Sequence, residues 1–181
     1  MTELTRPLLE AAAELLARHG FRGLRVADVA TRAGVSRQTV YNEFRNKNGI
    51  VEAVTRYKTE EFLDGVRQRL ADAPDPVTGL REAVEFVFRL AAKDPLTGSV
   101  LGGTHAEDML PLITTKGHPV LASATDVFLE HIRRHWPLLP PERAELAAET
   151  IVRVVLSHLL TPGRDAVRTV EAVTAALLPL P

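Results

Sequence analysis

The chain has 181 residues, of which 45% are hydrophobic and 25% are charged, a composition that is ordinary for a globular protein with one core or two small ones. It has no cysteine, which excludes disulfides, thiolate metal sites and a cysteine nucleophile. No apolar run is long enough to span a bilayer, and the first residues lack the layout of a signal peptide, so we expect a cytoplasmic protein without membrane contact.

Helical spacing of apolar residues runs through the chain, and no strand-like alternation persists anywhere. In the first part, helices are predicted from Leu8 to His19, Val26 to Ala30, Ser36 to Phe44, and Asn46 to the Pro-containing break at residues 71–76. Gly20 and Gly34 are suited to ending the first two helices, and Ser36 and Asn46 are suited to capping the next two.

After the break, the pattern predicts further helices and one irregular segment. They are a helix from Leu80 to Ala91, a Gly-rich segment at 97–119 with room for two short helices, and helices at Pro119–Trp136, Ala144–Leu160 and Ala166–Leu178. The predicted fold class is therefore all-α, with about nine or ten helices.

Charge is unevenly distributed along the chain. Residues 1–58 hold ten Lys and Arg against six acidic residues, a net charge of +4, although the whole chain carries −1. A basic first third is expected if only that part meets a polyanion such as DNA. An excess of this size also arises by chance, so the charge distribution alone does not establish binding to a polyanion.

Residues 26–44 have the spacing of a helix-turn-helix. Ala30 is small, as two closely crossing helices require, and Gly34 can take the positive φ of a tight turn. Val35 and Val40 are expected to face inward. That leaves exposed the kind of side chain that meets base edges and phosphates: Ser36, Arg37, Gln38, Thr39, Tyr41 and Asn42. A plain helical hairpin has the same turn, so the motif by itself leaves both interpretations open.

Lys47 lies just inside the predicted fourth helix, where the positive end of the helix dipole disfavours a cation by a few tenths of a kcal/mol. A phosphate bound by both Lys47 and the free backbone N–H groups would reverse the sign of that effect. The alternative is a solvated lysine that tolerates a small cost.

Residues 8–58 resemble the N-terminal DNA-binding domain of the TetR family of transcriptional regulators. The matching runs are AAAELLARHGF (11–21), VADVATRAGVS (26–36), TVYNEF (39–44), and Lys47 followed by Ile50. The rest of the chain fits the family only in helical layout and length. The resemblance implies a helix-turn-helix domain at 1–47 and a ligand-binding and dimerisation domain at 48–181.

The resemblance also implies a homodimer that binds a palindromic double-stranded operator, usually as a repressor that a small molecule releases. The recognition helix is then 36–42, with Tyr41 and Lys47 on phosphate-contacting positions. Arg37, Gln38, Thr39 and Asn42 are the candidates for base contact, and Ser36 belongs to the same surface. Arg25 falls where the family often places a Thr against phosphate.

Glu43 departs from the family pattern, because many members have His or another neutral residue just before the Phe. A carboxylate at this position would be repelled by phosphate, so we expect it to pair with Arg45 or Lys47 instead. The run Tyr-Asn-Glu-Phe is also similar to that of some family regulators of alkane or lipid metabolism.

Helices 119–136 and 144–160 are apolar on more than one face, which indicates burial on several sides. The resemblance implies that they form a four-helix interface between two subunits, although a monomeric core would give the same pattern. The candidate interface residues are Val127, His131, Ile151, Val154, Val155 and His158.

A mainly apolar effector with one or two polar groups is expected, because few charges lie near the candidate pocket residues. These residues are Phe86, Phe88, Leu90, Leu101, His105, Met109, Leu112, Ile113, Phe128 and Trp136. For most of them, a place in the plain core is the preferred explanation.

An enzymatic role has thin support. His105, Glu107 and Asp108 form the one acid-base cluster, and an exposed loop explains them; no phosphate loop or nucleophile elbow is present. His131 and His135 are four residues apart, but no carboxylate lies between them at helical spacing, so neither a metal nor a cofactor is predicted. Two alternatives to a repressor remain open: a transcriptional activator, and a small-molecule-binding helical domain without DNA function.

Overall fold

The computed structural model describes residues 5–101, 117–163 and 165–179. Within these ranges it contains only α-helices, which confirms the predicted fold class. In chain order they are α1 (Thr5–Gly23), α2 (Val26–Ala33), α3 (Arg37–Phe44), α4 (Lys47–Asp72), α5 (Pro76–Lys93), α6 (Pro95–Leu101), α7 (His118–His135), α8 (Pro141–Leu160) and α9 (Ala166–Leu177).

Helix ends follow local signals in the sequence. Gly20 interrupts α1 with φ 64°, so the predicted stop is real, although one more turn follows as far as Gly23. α8 begins at Pro141, three residues before the first predicted position, because proline is favourable in the first turn of a helix. α6 occupies the start of the segment that was expected to be irregular, and the Asp94 carboxylate caps it by accepting the Thr97 N–H at 2.8 Å.

The chain forms two compact units. The first comprises Met1–Glu60 and Ala92–Lys116, and the second comprises Glu61–Ala91 and Gly117–Pro181. This division differs from the predicted boundary after residue 47. The reason is that the first turns of α4 bury Ile50 and Val54 in the core of the first unit, so the boundary falls inside a continuous helix.

The first unit is built around the apolar face of α1. Leu16 and Val29 are completely buried there, and α2 and α6 both pack on α1. The carboxylate of Glu14 forms an ion pair with Arg32, which ties α1 to α2 at the surface. Asp94 is nearly buried and pairs with Lys58 at 3.0 Å. Burial raises the pKa of Asp94, but hydrogen bonds from Thr97 and the charge of Lys58 outweigh it, so the pKa lies below its usual value.

The second unit has its core between α7 and α8, which form the closest pair of helices in it. Ile132, Ala148 and Ile151 are fully buried at their contact. Trp136 ends α7, and its indole N–H donates to the Pro179 carbonyl at 2.7 Å, which holds the end of the chain against this core.

A groove of about 480 Å³ runs between α5 and α9 in the second unit. Its floor is apolar, and Arg81 and Glu171 face each other across its rim at 3.9 Å. None of the described helices is both long enough and apolar enough to cross a membrane.

Candidate nucleic-acid interface

The turn between α2 and α3 has the geometry that the helix-turn-helix spacing predicts. Gly34 has φ 69° and ψ 29°, and its N–H points at the carbonyls of Ala30 and Thr31. The N–H of Val35 donates to the Ala30 carbonyl at 3.0 Å, which closes the turn. Ala30 is 3% exposed, so its small side chain does lie where the helices meet.

The first turn of α3 is capped by its own side chains. Ser36 Oγ accepts the Thr39 N–H at 3.1 Å and lies 2.9 Å from the Thr39 hydroxyl. The predicted cap is therefore confirmed. Both hydroxyls are already paired with each other, so a base contact from Thr39 requires that its hydroxyl share or leave this bond.

Two buried side chains anchor α3 in the core of the first unit, and the opposite face of the helix is exposed. Val40 is 1% exposed and Phe44 is 7% exposed, and both belong to the core of the first unit. Gln38 and Asn42 are each two residues from Val40, about 200° around the helix, so they lie near the centre of the outward face. Both are exposed, and Gln38 Nε2 donates to Asn42 Oδ1 at 2.9 Å.

Arg37 and Tyr41 complete this surface. Arg37 is the first residue of α3 and is exposed, and Tyr41 is 47% exposed, which is high for an aromatic side chain. The structure thus brings Arg37, Gln38, Tyr41 and Asn42 together on one accessible face, as a recognition helix requires.

Glu43 lies toward the side of α3 that faces α1. Its Oε1 accepts a hydrogen bond from the Thr5 hydroxyl at 2.9 Å. The expected partners were Arg45 or Lys47, and Thr5 was not anticipated, because a contact across 38 residues leaves no local signal in the sequence. The carboxylate therefore lies beside the start of α1 rather than on the outward face with Gln38 and Asn42.

The connection from α3 to α4 is tight. Arg45 has φ 64°, the one positive φ among the described residues other than glycine, and its N–H donates to the Tyr41 carbonyl at 2.8 Å. Asn46 then caps α4, as predicted, by accepting the Gly49 N–H at 3.0 Å. Gly49 lies so close to the Phe44 carbonyl that a Cβ would stand 2.0 Å from its oxygen.

Lys47 is the first residue of α4, as expected, but its ammonium group does not lie over that helix terminus. Nζ donates to the carbonyl of Arg22 at 3.0 Å and lies 4.6 Å from the centroid of the Phe21 ring. These residues end α1, where the dipole favours a cation. The unfavourable placement inferred from sequence is thus avoided by the length of the lysine side chain.

Arg25 is exposed and directly precedes α2. Its carbonyl accepts the N–H groups of Asp28 and Val29, which fixes its backbone, while its side chain makes no cap bond to the helix. Arg25 thus stands directly before α2, at the position where the family resemblance implies a phosphate contact.

The candidate dimer residues do not share one environment. Val127, His131, Ile151 and Val155 are buried inside their own chain, at 7%, 6%, 0% and 7% exposed. A side chain that its own subunit already covers has little surface left for a partner, so these four side chains contribute mainly to the core of their own unit. Val154 and His158 are half-buried and keep some accessible area.

The candidate pocket residues are likewise divided. Phe128 and Trp136 belong to the buried core of the second unit, and Phe86, Phe88 and Leu90 are half-buried in the same unit. Leu101 ends α6 in the first unit. His105, Met109, Leu112 and Ile113 lie outside the described residues. The Phe86 ring packs directly on Gly65. The guanidinium carbon of Arg69 lies over the same ring, 4.8 Å from the ring centroid.

The groove between α5 and α9 was missed from sequence. It is lined by Val77, Thr78, Leu80, Arg81, Val84, Val167, Val170, Glu171, Thr174, Ala175, Leu178 and Pro179. No predicted pocket residue is among them. The apolar stripes of both helices were visible in the sequence, but stripes do not reveal that two helices stand apart at the surface.

His131 is hydrogen-bonded within its own chain. Its Nε2–H donates to the Pro76 carbonyl at 3.1 Å, and its ring lies 4.6 Å from that of His135. Burial lowers the pKa of His131, and the positive charge of His135 and Arg134 lowers it further. Among the residues that the structure describes, no three His, Asp or Glu side chains gather as a metal site; Glu107 and Asp108 lie outside them.

Two family models match the chain. Residues 8–54 match "Bacterial regulatory proteins, tetR family", and residues 75–179 match "Bacterial Tetracyclin repressor, C-terminal domain". The first covers the capped turn, α3 and the start of α4 described above, and the second covers the helices of the second unit from α5 onward.

Individual proteins agree with these matches. The transcriptional regulator AlkX of Mycobacterium tuberculosis is 30% identical over 86% of this chain and 74% of its own length. The transcriptional activator FasR of Mycolicibacterium smegmatis is 34% identical over 48% of this chain and 40% of its own. The crystal structure of the repressor AlkX from a Dietzia strain, implicated in n-alkane biodegradation, superposes with a TM-score of 0.74 at 28% identity and covers 94% of this chain and 93% of that one.

Proposed function

The chain belongs to the TetR family of bacterial regulatory proteins, and on this premise we propose that it is a cytoplasmic repressor that acts as a homodimer. It binds a palindromic operator through α3 and leaves it when a small, mainly apolar effector binds the second unit. Regulators of this family bind DNA operators, typically as dimers, and do not act as enzymes.

The observation that carries DNA binding is the exposed polar face of α3. Arg37, Gln38, Tyr41 and Asn42 stay accessible while Val40 and Phe44 fasten the helix from behind. Hydrogen-bonding side chains on a firmly anchored helix are what base recognition in the major groove requires. A face buried within the subunit could not contact DNA and would have contradicted the proposal.

Phosphate contacts are proposed for Arg25 before α2, Tyr41 on α3 and Lys47 at the start of α4. The Lys47 ammonium has three N–H donors, so one can stay on the Arg22 carbonyl while another meets a phosphate. Such contacts position the protein on any sequence, whereas Arg37 and Gln38 are proposed to read bases, with Asn42 beside Gln38 on the same face.

Selection of bound duplexes from a random pool tests this function. We expect an enriched palindrome with half-sites about one helical turn apart. Arg37→Ala should weaken binding to it roughly tenfold or more, since one base contact is worth about 1–3 kcal/mol. Arg89→Ala, which removes an exposed arginine of α5 in the second unit, is the matched control and should change little. A folded protein that enriches no duplex would contradict the proposal.

For the dimer, we propose a stripe along α8 as contact surface. Leu146, Thr150, Val154 and Ser157 recur at helical spacing, carry no charge and lie away from the core-facing side of the helix. Leu146 is 60% exposed and is one of four large hydrophobic side chains that are exposed among the described residues. Two copies of this stripe would meet across a two-fold axis.

Sedimentation tests the stripe. Leu146→Glu should shift the protein toward monomer without unfolding it, because the side chain is already exposed. Leu138→Glu alters a leucine that is 97% exposed in the loop before α8 and is the matched control. Dissociation by Leu138→Glu alone would contradict the assignment of this stripe.

For the effector, we propose a molecule with a long hydrocarbon part. The two AlkX proteins are the support, because one of them is implicated in n-alkane biodegradation and both cover most of the chain. Phe86, Leu90 and Phe128 are the proposed lining residues in the second unit. The groove between α5 and α9 has a volume typical of ligand pockets and is the competing location.

Two variants separate these locations. Release of operator DNA is measured against chain length for alkanes, alkanols and fatty acids. Leu90→Ala should weaken the response if the proposed lining holds, whereas Ala175→Trp, which fills the groove, should leave it unchanged. The reverse pattern would move the effector to the groove.

Activation is the second candidate function, because FasR is named an activator and matches the chain over 87 residues. A reporter placed behind the selected operator distinguishes the two: expression rises on deletion of a repressor and falls on deletion of an activator. A helical domain that binds a small molecule but no DNA would give neither response.

A further inference from the structure

Gln38 and Asn42 form a coupled pair at the centre of the outward face of α3. Their side chains are four residues apart on the same side of the helix, both are exposed, and Gln38 Nε2 donates to Asn42 Oδ1 at 2.9 Å. The other polar side chains at the start of the helix are differently engaged, since Ser36 and Thr39 are paired with each other.

In this hydrogen bond the Gln38 amide takes one orientation, which is the one that pairs with Asn42 when Asn42 presents its Oδ1. A primary amide can present either its oxygen or its NH₂ group to a neighbour, and an exposed glutamine ordinarily exchanges between the two. The Asn42 carbonyl oxygen accepts only from the NH₂ group, so the amide nitrogen of Gln38 is turned toward Asn42 and its Oε1 is turned away. One of the two N–H bonds of Gln38 is used in this contact.

The remaining atoms of Gln38 form a complementary donor and acceptor pair. The N–H that is syn to Oε1 shares an edge of the amide with it and stays available when the other N–H makes the bond to Asn42. This edge matches adenine in the major groove, where N7 accepts and N6–H₂ donates. Guanine offers two acceptors on that edge and cytosine offers an N–H₂ donor without the adjacent N7, so neither satisfies both atoms of the amide.

We propose that Gln38 reads one adenine in each half-site of the operator and that Asn42 is the positioning residue that holds its amide in the reading orientation. This rests on the proposed function. Because the pair is formed before binding, little side-chain freedom is lost when the base is met, which favours affinity as well as discrimination.

The proposal concerns one base pair per half-site, so the test compares the affinities for the four possible base pairs at each position. The wild-type protein is used to select an operator, and affinities are then measured for all four base pairs at each position. We expect one position per half-site where A·T in one orientation is preferred about tenfold or more. Gln38→Ala should abolish the preference at that position and leave the preferences elsewhere unchanged.

Asn42→Ala should reduce the preference at the same position, and the double variant should be no worse there than Gln38→Ala alone, because the two residues act through one contact. Asn42→Asp keeps an acceptor for the Gln38 NH₂ group. It should lower affinity for every sequence through charge repulsion, yet retain the ratio for adenine. A purely structural role of Asn42 would predict no such rescue.

The outcomes are separable. If the wild-type protein enriches no duplex, the DNA-binding function itself fails. If an operator is found but Gln38→Ala leaves every A·T preference intact, or Asn42→Ala relaxes a different base pair from Gln38→Ala, the coupled reading of adenine is overturned. Thermal unfolding of each variant serves as a check that the exposed substitutions leave the fold intact.

Discussion

Lys47 Nζ lies 3.0 Å from the carbonyl oxygen of Arg22, so the first residue of α4 is bonded to the last turn of α1. The break at Gly20 leaves the residues after it as a single turn, in which the Leu24 N–H donates to the Gly20 and Phe21 carbonyls. The Lys47 ammonium satisfies the Arg22 carbonyl, which belongs to the same turn. The same ammonium group also lies over the Phe21 ring.

Lys47→Met should therefore lower stability as well as DNA affinity. It keeps the aliphatic part of the side chain but removes the hydrogen bond and the charge, which we expect to cost about 1 kcal/mol of unfolding free energy. Denaturant unfolding measures this loss. If Lys47 also contacts a phosphate, the slope of log affinity against log salt should fall by about one unit. An unchanged slope with reduced stability would restrict Lys47 to the contact with α1.

Gly34 should resist substitution for a backbone reason only. Its φ is 69°, and a Cβ added there would meet no atom within 4 Å, so Gly34→Ala introduces strain without a clash. We expect a loss of about 1–2 kcal/mol of unfolding free energy. Gly98 is the matched control, since a Cβ there is equally unobstructed but the backbone of α6 is helical. Gly98→Ala should be neutral or stabilising by up to about 1 kcal/mol; equal losses at both positions would contradict the explanation.

Gly65 should resist substitution for a packing reason. A Cβ at this position in α4 would stand 2.1 Å from the Phe86 ring, although alanine is the better helix former. Gly65→Ala should cost about 1–3 kcal/mol through overpacking, measured by denaturant unfolding. Combining it with Phe86→Leu should recover part of the loss, because the smaller side chain makes room. A gain in stability from Gly65→Ala alone would show that Phe86 is free to move.

His131 should make stability depend on pH. Burial lowers its pKa below the ordinary value of 6.5, so as pH falls through about 6.5 the unfolded chain takes up a proton before the folded chain does. Unfolding free energy is therefore expected to be fully retained above that pH and to decline below it. His131→Gln should flatten the difference between pH 7 and pH 5, whereas His19→Gln, at an exposed position of α1, should not. A wild-type protein that gained stability on acidification would contradict the sign.

The helix-turn-helix was predictable in detail because its signals are local. The positive φ of Gly34, the cap from Ser36, the cap from Asn46 and the inward position of Val40 each follow from a residue and its near neighbours in the chain. Which side chains of α3 face outward follows from helical periodicity once Val40 and Phe44 are taken as the buried side.

The surfaces of the second unit were not predictable in the same way. Val127, Ile151 and Val155 read equally well as core or as dimer interface, because both environments select the same apolar residue types. Only the packing of α7 on α8 assigns them to the core of their own chain, and only the spacing of α5 and α9 creates the groove between them.

The sequence by itself determined the all-α class, the limits of most helices and the residues that α3 presents, since each depends on periodicity, caps and turn residues within a few positions. The tertiary structure decided which partners the long polar side chains of the first unit bind. Lys47 donates a hydrogen bond to the Arg22 carbonyl, 25 residues away in the chain. Glu43 accepts one from the Thr5 hydroxyl, 38 residues away. Such partners are brought together by the core of the first unit, in which α1, α3 and α4 all bury apolar side chains, and no local pattern encodes that distance.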